Sequence, residues 1–458
     1  MCEEWMEERE KAMSIEIRFG HPLPHHPDFP RRRAAWDFWE RSFHGGPEYK
    51  SARDSQGEPV FIAHELESPE GQARRMRLAT YRNYCRPIME KYNAFIFANP
   101  VQRDGRNPRF AEWSRDVDGL GTGLHDFMRR ASLWAAVHGY RYVMMDSTKT
   151  EERQTLAQAR AARNRLFLLD LDPRRVPHWT ERGTGLAEAL VVFPAASQAR
   201  LYTDNALTLI QLDKQGLVLS VAPPLPHHYG RVPLVKVTAT DDGLSLLSDL
   251  AEVNKSLFNL DALLREELFK QTFTQFFAAG LDAEDLRETR LGGRKLICHT
   301  NPQVRIDRLT GDVSQAESIR ATIAEDIREL YRLAGLHAPD LVEQNAAESG
   351  RALKIRWNDV SLRAAAIADH AEKAENALIR LWQAGMGGGE QVAESDYPEE
   401  FDVEDLAAQL ATALKVLAAP LPKTLKDAQA RSLAARLQPK FTAEEWARFN
   451  RELEELSH

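Results

Sequence analysis

In the second half of the chain, apolar positions recur at three- and four-residue steps over three long stretches. Leu247, Leu250, Val253, Leu257, Leu260, Leu264 and Leu268 make one helical stripe over residues 244–271. Ile319, Ile323, Ile327, Leu330 and the smaller Ala334 make a second over 313–334. The third runs over 349–386 through Leu353, Trp357, Val360, Ala364, Ile367, His370, Ala374, Leu378, Leu381 and Trp382. The glycines between 385 and 389 stop it. His370 in that stripe reads as a satisfied core residue. Between the first two stripes, residues 272–312 mix aromatic, glycine and basic residues without a helical period. The pattern predicts a helical hairpin with a small, partly β head, then a polar turn over 335–348, then a long third helix.

The first half changes period several times. Residues 1–66 read as irregular and peripheral, because the prolines of HPLPHHPDFPRRR forbid a single helix; only 34–43 suggests a short one. A helix is predicted over 69–98, with Pro69 in its first turn and Pro87 kinking or dividing it. Residues 124–138 predict a helix with Phe127, Ala131, Leu133, Trp134 and Val137 inward, followed by a buried strand over 140–146. Residues 151–163 are polar and read as an exposed insertion. LFLLDLD, EALVVFP, ARLYT, ALTLIQL, LVLSVA and PLVKVTAT then read as short strands between turn residues, which suits an antiparallel α+β domain. Two or three further short helices are expected, over 403–417, 422–437 and 442–456, the last with Thr442 and Glu445 as a capping box. The expected fold class is α+β, mainly α.

Bulk properties narrow the function classes. The 458 residues imply two to four domains. A hydrophobic share of 43% beside 28% charged residues is a globular balance. No apolar run approaches the roughly 18–20 residues of a bilayer span. The acidic start MCEEWMEEREKAM has no apolar core, so no signal peptide is expected and the chain is placed in the cytoplasm of the cell that makes it. Cys2, Cys85 and Cys298 are far apart and form no disulfide framework or zinc-spaced group. The net charge of −8 is not the footprint of a protein that grips nucleic acid. It does not exclude nucleic acid, since a protein that lets DNA slide past must avoid many simultaneous phosphate contacts, each of which adds affinity through counterion release.

Catalytic motifs are missing. There is no GxxxxGK[ST], HExxH or GxSxG. Gly119, Gly121 and Gly123 follow a helical-looking segment and lack the GxGxxG spacing, so they read as a turn. Asp116 and Asp118 start like a calcium loop whose later ligands are absent. His21, His25 and His26 are read as solvated loop histidines. Arg74, Arg75, Arg77, Arg82 and Arg86 are read as a solvated face with carboxylate partners, against a DNA-facing or partner-facing strip. Among carboxylate pairs such as Asp241/Asp242, only Asp170 and Asp172, on one face of a strand, resemble a nuclease-type metal pair. The expectation is a non-enzyme with no cofactor and no metal.

Four stretches carry a family resemblance. They are DVDGLGTGLHDFMRRASLWAAVHGYRYVMMD, YGRVPLVKV, LLSDLAEVNKSLFNLDALLREELFKQTFTQFFAAGL and ESGRALKIRW. In that order and spacing, covering about residues 116–382, the chain resembles tailed-bacteriophage portal (connector) proteins, closest to the group of Bacillus siphophages and related prophages. The resemblance implies a ring, usually of twelve subunits, at one capsid vertex of the virion, assembled in the host cytoplasm. DNA would pass through it during packaging and ejection. Its implied partners are further copies of itself, double-stranded DNA, the terminase large subunit, a head-completion or adaptor protein, and the major capsid and scaffold proteins, with no membrane.

Carried onto this chain, the resemblance makes 1–242 the wing, 243–271 and 313–334 the stem helices, and 272–312 the clip. Residues 335–348 become the tunnel loop, 349–390 the long wing helix and 391–458 the crown. The stem stripes are then expected to bury against neighbouring subunits. The DNA-channel candidates are Glu343, Gln344 and Asn345 in a loop without Lys or Arg, with Arg351, Lys354 and Arg356 just beyond it. The last three could meet phosphates or pair with Glu343 and Glu348. Arg287, Arg290, Arg294 and Lys295 are the clip candidates for partner docking or DNA contact, against a solvated rim. Two other classes remain: a metal-dependent nucleic-acid enzyme at Asp170/Asp172, and a minor capsid or scaffold protein without a channel.

Overall fold

The computed structural model describes residues 15–98, 100–147, 166–183, 185–272, 275–279, 305–309, 313–336 and 350–398, single positions between 426 and 434, and residues 443–455. The predicted helices over 403–417 and 422–437, the insertion at 151–163 and Thr442 fall wholly or mostly outside them.

The helices are α1 (Phe29–His44), α2 (Pro69–Leu78), α3 (Cys85–Ile96), α4 (Pro108–Trp113), α5 (Leu124–His138), α6 (Ser248–Thr272), α7 (Val313–Leu333), α8 (Gly350–Gly385) and α9 (Ala443–Glu455). The strands are β1 (Tyr140–Ser147), β2 (Leu166–Leu171), β3 (His178–Arg182), β4 (Gly185–Phe193), β5 (Gln198–Thr203), β6 (Ala206–Leu212), β7 (Val218–Val221), β8 (Leu225–Pro226), β9 (Leu234–Thr238), β10 (Gln275–Ala279) and β11 (Arg305–Leu309). The fold is mixed helix and sheet, as an α+β reading requires. No helix among the described residues is long and apolar enough to cross a membrane.

The described residues form three antiparallel sheets, the smallest of them the β10–β11 pair, and the other two make the main β part. One has the order β2-β1-β9; the other runs β3-β4-β5-β6-β7, with β8 also paired to β6. Strand alternation sorts β1 into two cores. Tyr140, Tyr142 and Met144 pack with Trp36 of α1 and with Leu171, Trp179 and Ala189. Val143 and Met145 point the other way, into the main core formed by α3, α5, α6, α7 and α8. In β4, Ala189 and Val191 join the first of these cores, while Leu190 faces Ala199, Ile210 and Leu23.

The expectation of a peripheral start fails for residues 29–61. Trp36 and Phe38 are fully buried, and Tyr49, Val60 and Phe61 close over Phe258 of α6. Pro30 does not break this segment. It lies in the first turn of α1, where its missing N–H costs nothing.

The division of the 69–98 helix also lies elsewhere than Pro87 suggests. Ser68 caps α2 by accepting from Gly71 N, and α2 ends at Leu78. Residues 79–84 are not helical, and Pro87 sits harmlessly in the first turn of α3. The break has a visible partner: Asn254 of α6 accepts from Tyr84 N and donates to Arg82 O, both at 3.1 Å. A side chain of α6 claims backbone groups that a continuous helix would have used itself.

Candidate functional site

α6 and α7 form an antiparallel pair whose far ends lead into the β10–β11 ladder, with Phe277 opposite Asp307. At 25 residues, α6 is about 37 Å long. Its stripe is not left open for a neighbouring subunit. Leu247, Leu250, Leu257 and Leu264 are buried within this chain, as are Ile327, Leu330 and Ala334 of α7. Leu268 alone of the α6 stripe is exposed. These buried positions are spent on the fold of their own chain and cannot serve as intersubunit seams, while Val253, Leu260, Ile319 and Ile323 are half-buried. Leu263 and Phe269 of α6 lie outside that stripe and are exposed.

The opposite flank of α6 is polar and equally buried. Asn259 accepts from Ile62 N at 2.9 Å and donates to Val60 O at 2.8 Å. Asp261 pairs with Arg82 at 2.9 Å, Glu266 with Arg74 at 2.6 Å, and Lys255 with Asp54 at 2.9 Å. These bonds fasten residues between 54 and 82 along the helix. They also settle the arginine run. Arg75 is buried against Glu67 and the Phe61 ring, and Arg86 pairs with Glu90, so these four arginines have the carboxylate partners expected of them. Arg77 is exposed.

The end of α7, where the predicted tunnel loop begins, is held from three sides. Gly335 takes φ 63°, the left-handed C-terminal position that favours glycine. Tyr92 of α3 donates its hydroxyl to Ala334 O, and Arg363 of α8 donates to Leu333 O at 2.8 Å. Beside this knot is a cleft of about 450 Å3 lined by residues including Asp241, Asp242, Asp249, Leu333, Arg363 and His370. His370 is a satisfied residue, as read: its Nδ1 lies 3.1 Å from Thr238 Oγ1 and its Nε2 3.4 Å from Asp241.

Glu343, Gln344, Asn345 and Glu348 lie outside the described residues, as do Arg287, Arg290, Arg294 and Lys295. Arg351, Lys354 and Arg356 fall on the first turns of α8, and their side chains lie outside the description.

The glycine turn is structural. Asp116 accepts from Gly119 N and Gly121 N, and Asp118 from Leu120 N and Thr122 N, so their carboxylates are spent on backbone donors. Asp170 and Asp172 do not share a strand face, because β2 ends at Leu171. Arg141 binds Asp170 at 2.5 Å and approaches Asp172 at 3.5 Å. A guanidinium stands where a shared metal ion would have to sit.

Asp172 belongs to a second polar group that no sequence pattern announces. Arg174 bonds to Asp172, to Asp37 and to Glu40, and His138 at the end of α5 faces Glu40. The His138 ring and the Arg174 guanidinium hold Glu40 down at about 2, against the opposing effect of burial. Burial would raise Asp172, but hydrogen bonds from Arg174 outweigh it and bring it to about 2. Both folded values lie below the unfolded ones, so this stabilisation is full above the unfolded carboxylate range and is lost as pH falls towards about 2. Glu40→Gln should therefore lower the urea midpoint clearly at about pH 6 and much less at about pH 2.5. An equal loss at both pH values would contradict the charge balance.

No family model matches the chain, and no curated protein does. Among solved structures, the neck of a native GTA particle with C12 symmetry aligns at 13% identity over 92% of this chain and 97% of that one, with a TM-score of 0.40. The neck of an empty GTA particle with C6 symmetry aligns at 13% identity over 92% and 98%, with a TM-score of 0.42. Likenesses of this degree carry no argument about function.

Proposed function

We propose that this chain is the repeating subunit of a ring-shaped portal at a phage capsid vertex, a non-enzymatic conduit for DNA during packaging and ejection. The observation that supports it most is the succession of α6, the β10–β11 pair, α7, and the 36-residue α8. Two long antiparallel helices ending in a two-stranded head give a stem and clip, and the next long helix follows the position of the tunnel loop. The order is the one the four resembling sequence stretches imply. The acidic net charge and the carboxylate-paired Arg74, Arg75, Arg82 and Arg86 agree with a wall that does not hold phosphates.

In this reading Glu343, Gln344 and Asn345 meet the passing DNA, with Arg351, Lys354 and Arg356 behind them. Arg287, Arg290, Arg294 and Lys295 meet terminase and then the head-completion protein. Capsid and scaffold proteins surround the ring. Because the buried stem positions are used within the chain, the contacts between copies fall to the half-buried and exposed positions of the stem and to other surfaces.

Negative-stain images and single-particle mass measurements of the purified chain test the reading. Rings with a central hole, and no ATP hydrolysis by the isolated protein, are expected. Monomers under several salt conditions would overturn it in favour of a minor capsid role. Metal-dependent DNA cleavage lost in Asp170→Ala would overturn it in favour of a nuclease.

A further inference from the structure

Glu40, His138 and Asp172 come together from α1, the last residue of α5 and the turn after β2, and one ligand atom of each lies within 4.8 Å of the others. His138 is 1% exposed, and its Nε2 has no hydrogen-bond partner. That nitrogen stands 3.6 Å from Glu40 Oε2, beyond hydrogen-bond range. A buried polar nitrogen left in this state is a cost unless something completes it. The surroundings are acidic: Asp37, Glu40, Asp170 and Asp172 face Arg141 and Arg174, with Arg130 at the rim, 3.7 Å from Asp170.

We propose that Glu40, His138 and Asp172 form a binding site for a divalent transition-metal ion, in which Arg174 is the resident cation that the metal displaces. One imidazole nitrogen and two carboxylates are a donor set that zinc accepts at about 2.0–2.2 Å, with water completing the sphere. Ligand atoms at that radius lie within about 4 Å of one another, so the three side chains need to close by only a fraction of their present spacing. Arg174 can yield because it is partly exposed and keeps Asp37, an exposed carboxylate, as a partner. Arg141 Nη1, which can only donate, lies 3.5 Å from His138 Nδ1 and favours the ring proton on Nε2, so coordination through Nε2 requires that proton to move to Nδ1 and Nη1 to turn to Asp172, also 3.5 Å away. A bound ion would tie α1 and α5 to the β1–β2 sheet. It requires no DNA channel and is independent of the ring reading.

The test is a titration of the full-length, chelator-treated protein with Zn2+ against a chromophoric competitor. One equivalent per chain is expected. Glu40→Gln and His138→Gln should each weaken it by at least the about tenfold that outer-shell changes cost at zinc sites. Arg174→Gln removes the competing cation and should tighten it. Thermal transitions recorded without metal identify any variant that fails to fold, and the Glu40→Gln and Arg174→Gln pair decides the outcome if His138→Gln is lost. The proposal is overturned if Zn2+ is not retained, or is retained equally by Glu40→Gln and Arg174→Gln. The first result would assign the cluster to an internal ion pair, the second would place the metal among the other histidines.

Discussion

Gly139→Ala is expected to cost about 3–5 kcal/mol of stability, in the range reached only by severe steric or buried-charge defects. Gly139 ends α5 with φ 88° and ψ −37°, outside the left-handed helical region, and a sparsely populated backbone conformation of this kind costs an L side chain about 1–3 kcal/mol. Sterics add more than that. A Cβ there would lie 2.3 Å from Gly243 O and 2.9 Å from Leu244 C, both backbone atoms that cannot rotate away. Nor can the 243–246 turn retreat. Ser245 Oγ donates to Val137 O at 2.6 Å and Leu246 N donates to Ala136 O at 3.0 Å, so the entry to α6 is stitched to the end of α5. Gly57 provides the control. Its φ is 87° and nothing lies within 4 Å of the added Cβ, so Gly57→Ala should cost only the conformational part, about 1–2 kcal/mol. Urea midpoints of the two variants separate the effects. Equal losses would mean that α5 and the start of α6 do not approach as closely as described.

That close approach explains why some boundaries were legible in the sequence. Gly139 and the turn glycines at 119 and 121 have positive φ, and together with Gly123 they bracket α5, which spans the residues its apolar spacing predicts. The long helices α6, α7 and α8 were read to within a few residues for the same reason: periodicity accumulates over five or more turns. Short or polar elements gave weaker signals. β3, with the sequence HWTER, has exposed Glu181 and Arg182 at the sheet edge and so lacks the alternation that marks a strand. Prolines misled twice, at Pro30 and Pro87, because a helix's first turn tolerates what its middle does not.

What an apolar stripe touches was not legible. The spacing of Leu247, Leu250 and Leu257 shows that one face of α6 is buried, and says nothing about whether the cover is the same chain or another. The buried polar flank carried a readable trace. Asn254 and Asp261, and Asn259 and Glu266, repeat at seven residues, so each pair shares a helix face. A polar heptad pair beside an apolar stripe is a sign of a second segment bonded along the helix, here residues 52–84. The Glu40–His138–Asp172 group had no such trace, since its members are separated by 98 and 34 positions and meet only through the packing of α1 on β1.

Glu375→Ala is expected to cost about 3–5 kcal/mol, the usual loss when one partner of a buried ion pair is removed. Glu375 on α8 is 0% exposed and is held bidentately by Arg103, with Nε at 2.6 Å and Nη2 at 2.8 Å. Tyr397 donates to the same carboxylate at 2.7 Å, and burial together with that carboxylate pushes its phenol well above its ordinary value. The three side chains join the segment before α4, the middle of α8 and the chain after it. Alanine at 375 leaves the half-buried Arg103 guanidinium without a counter-ion and the Tyr397 hydroxyl without an acceptor, and both penalties fall on the folded state. The charge, more than the lost contact, should dominate. The double variant Arg103→Met with Glu375→Leu removes both charges and fills the space, so it should recover most of the loss, as apolar replacements of buried pairs do. Glu394→Ala, which breaks an exposed pair with Arg380, should cost no more than about 1 kcal/mol. Denaturation midpoints of the three proteins give the comparison. A Glu375→Ala loss as small as that of Glu394→Ala, or a double variant no better than the single one, would show that the buried pair does not hold α8 to its neighbours.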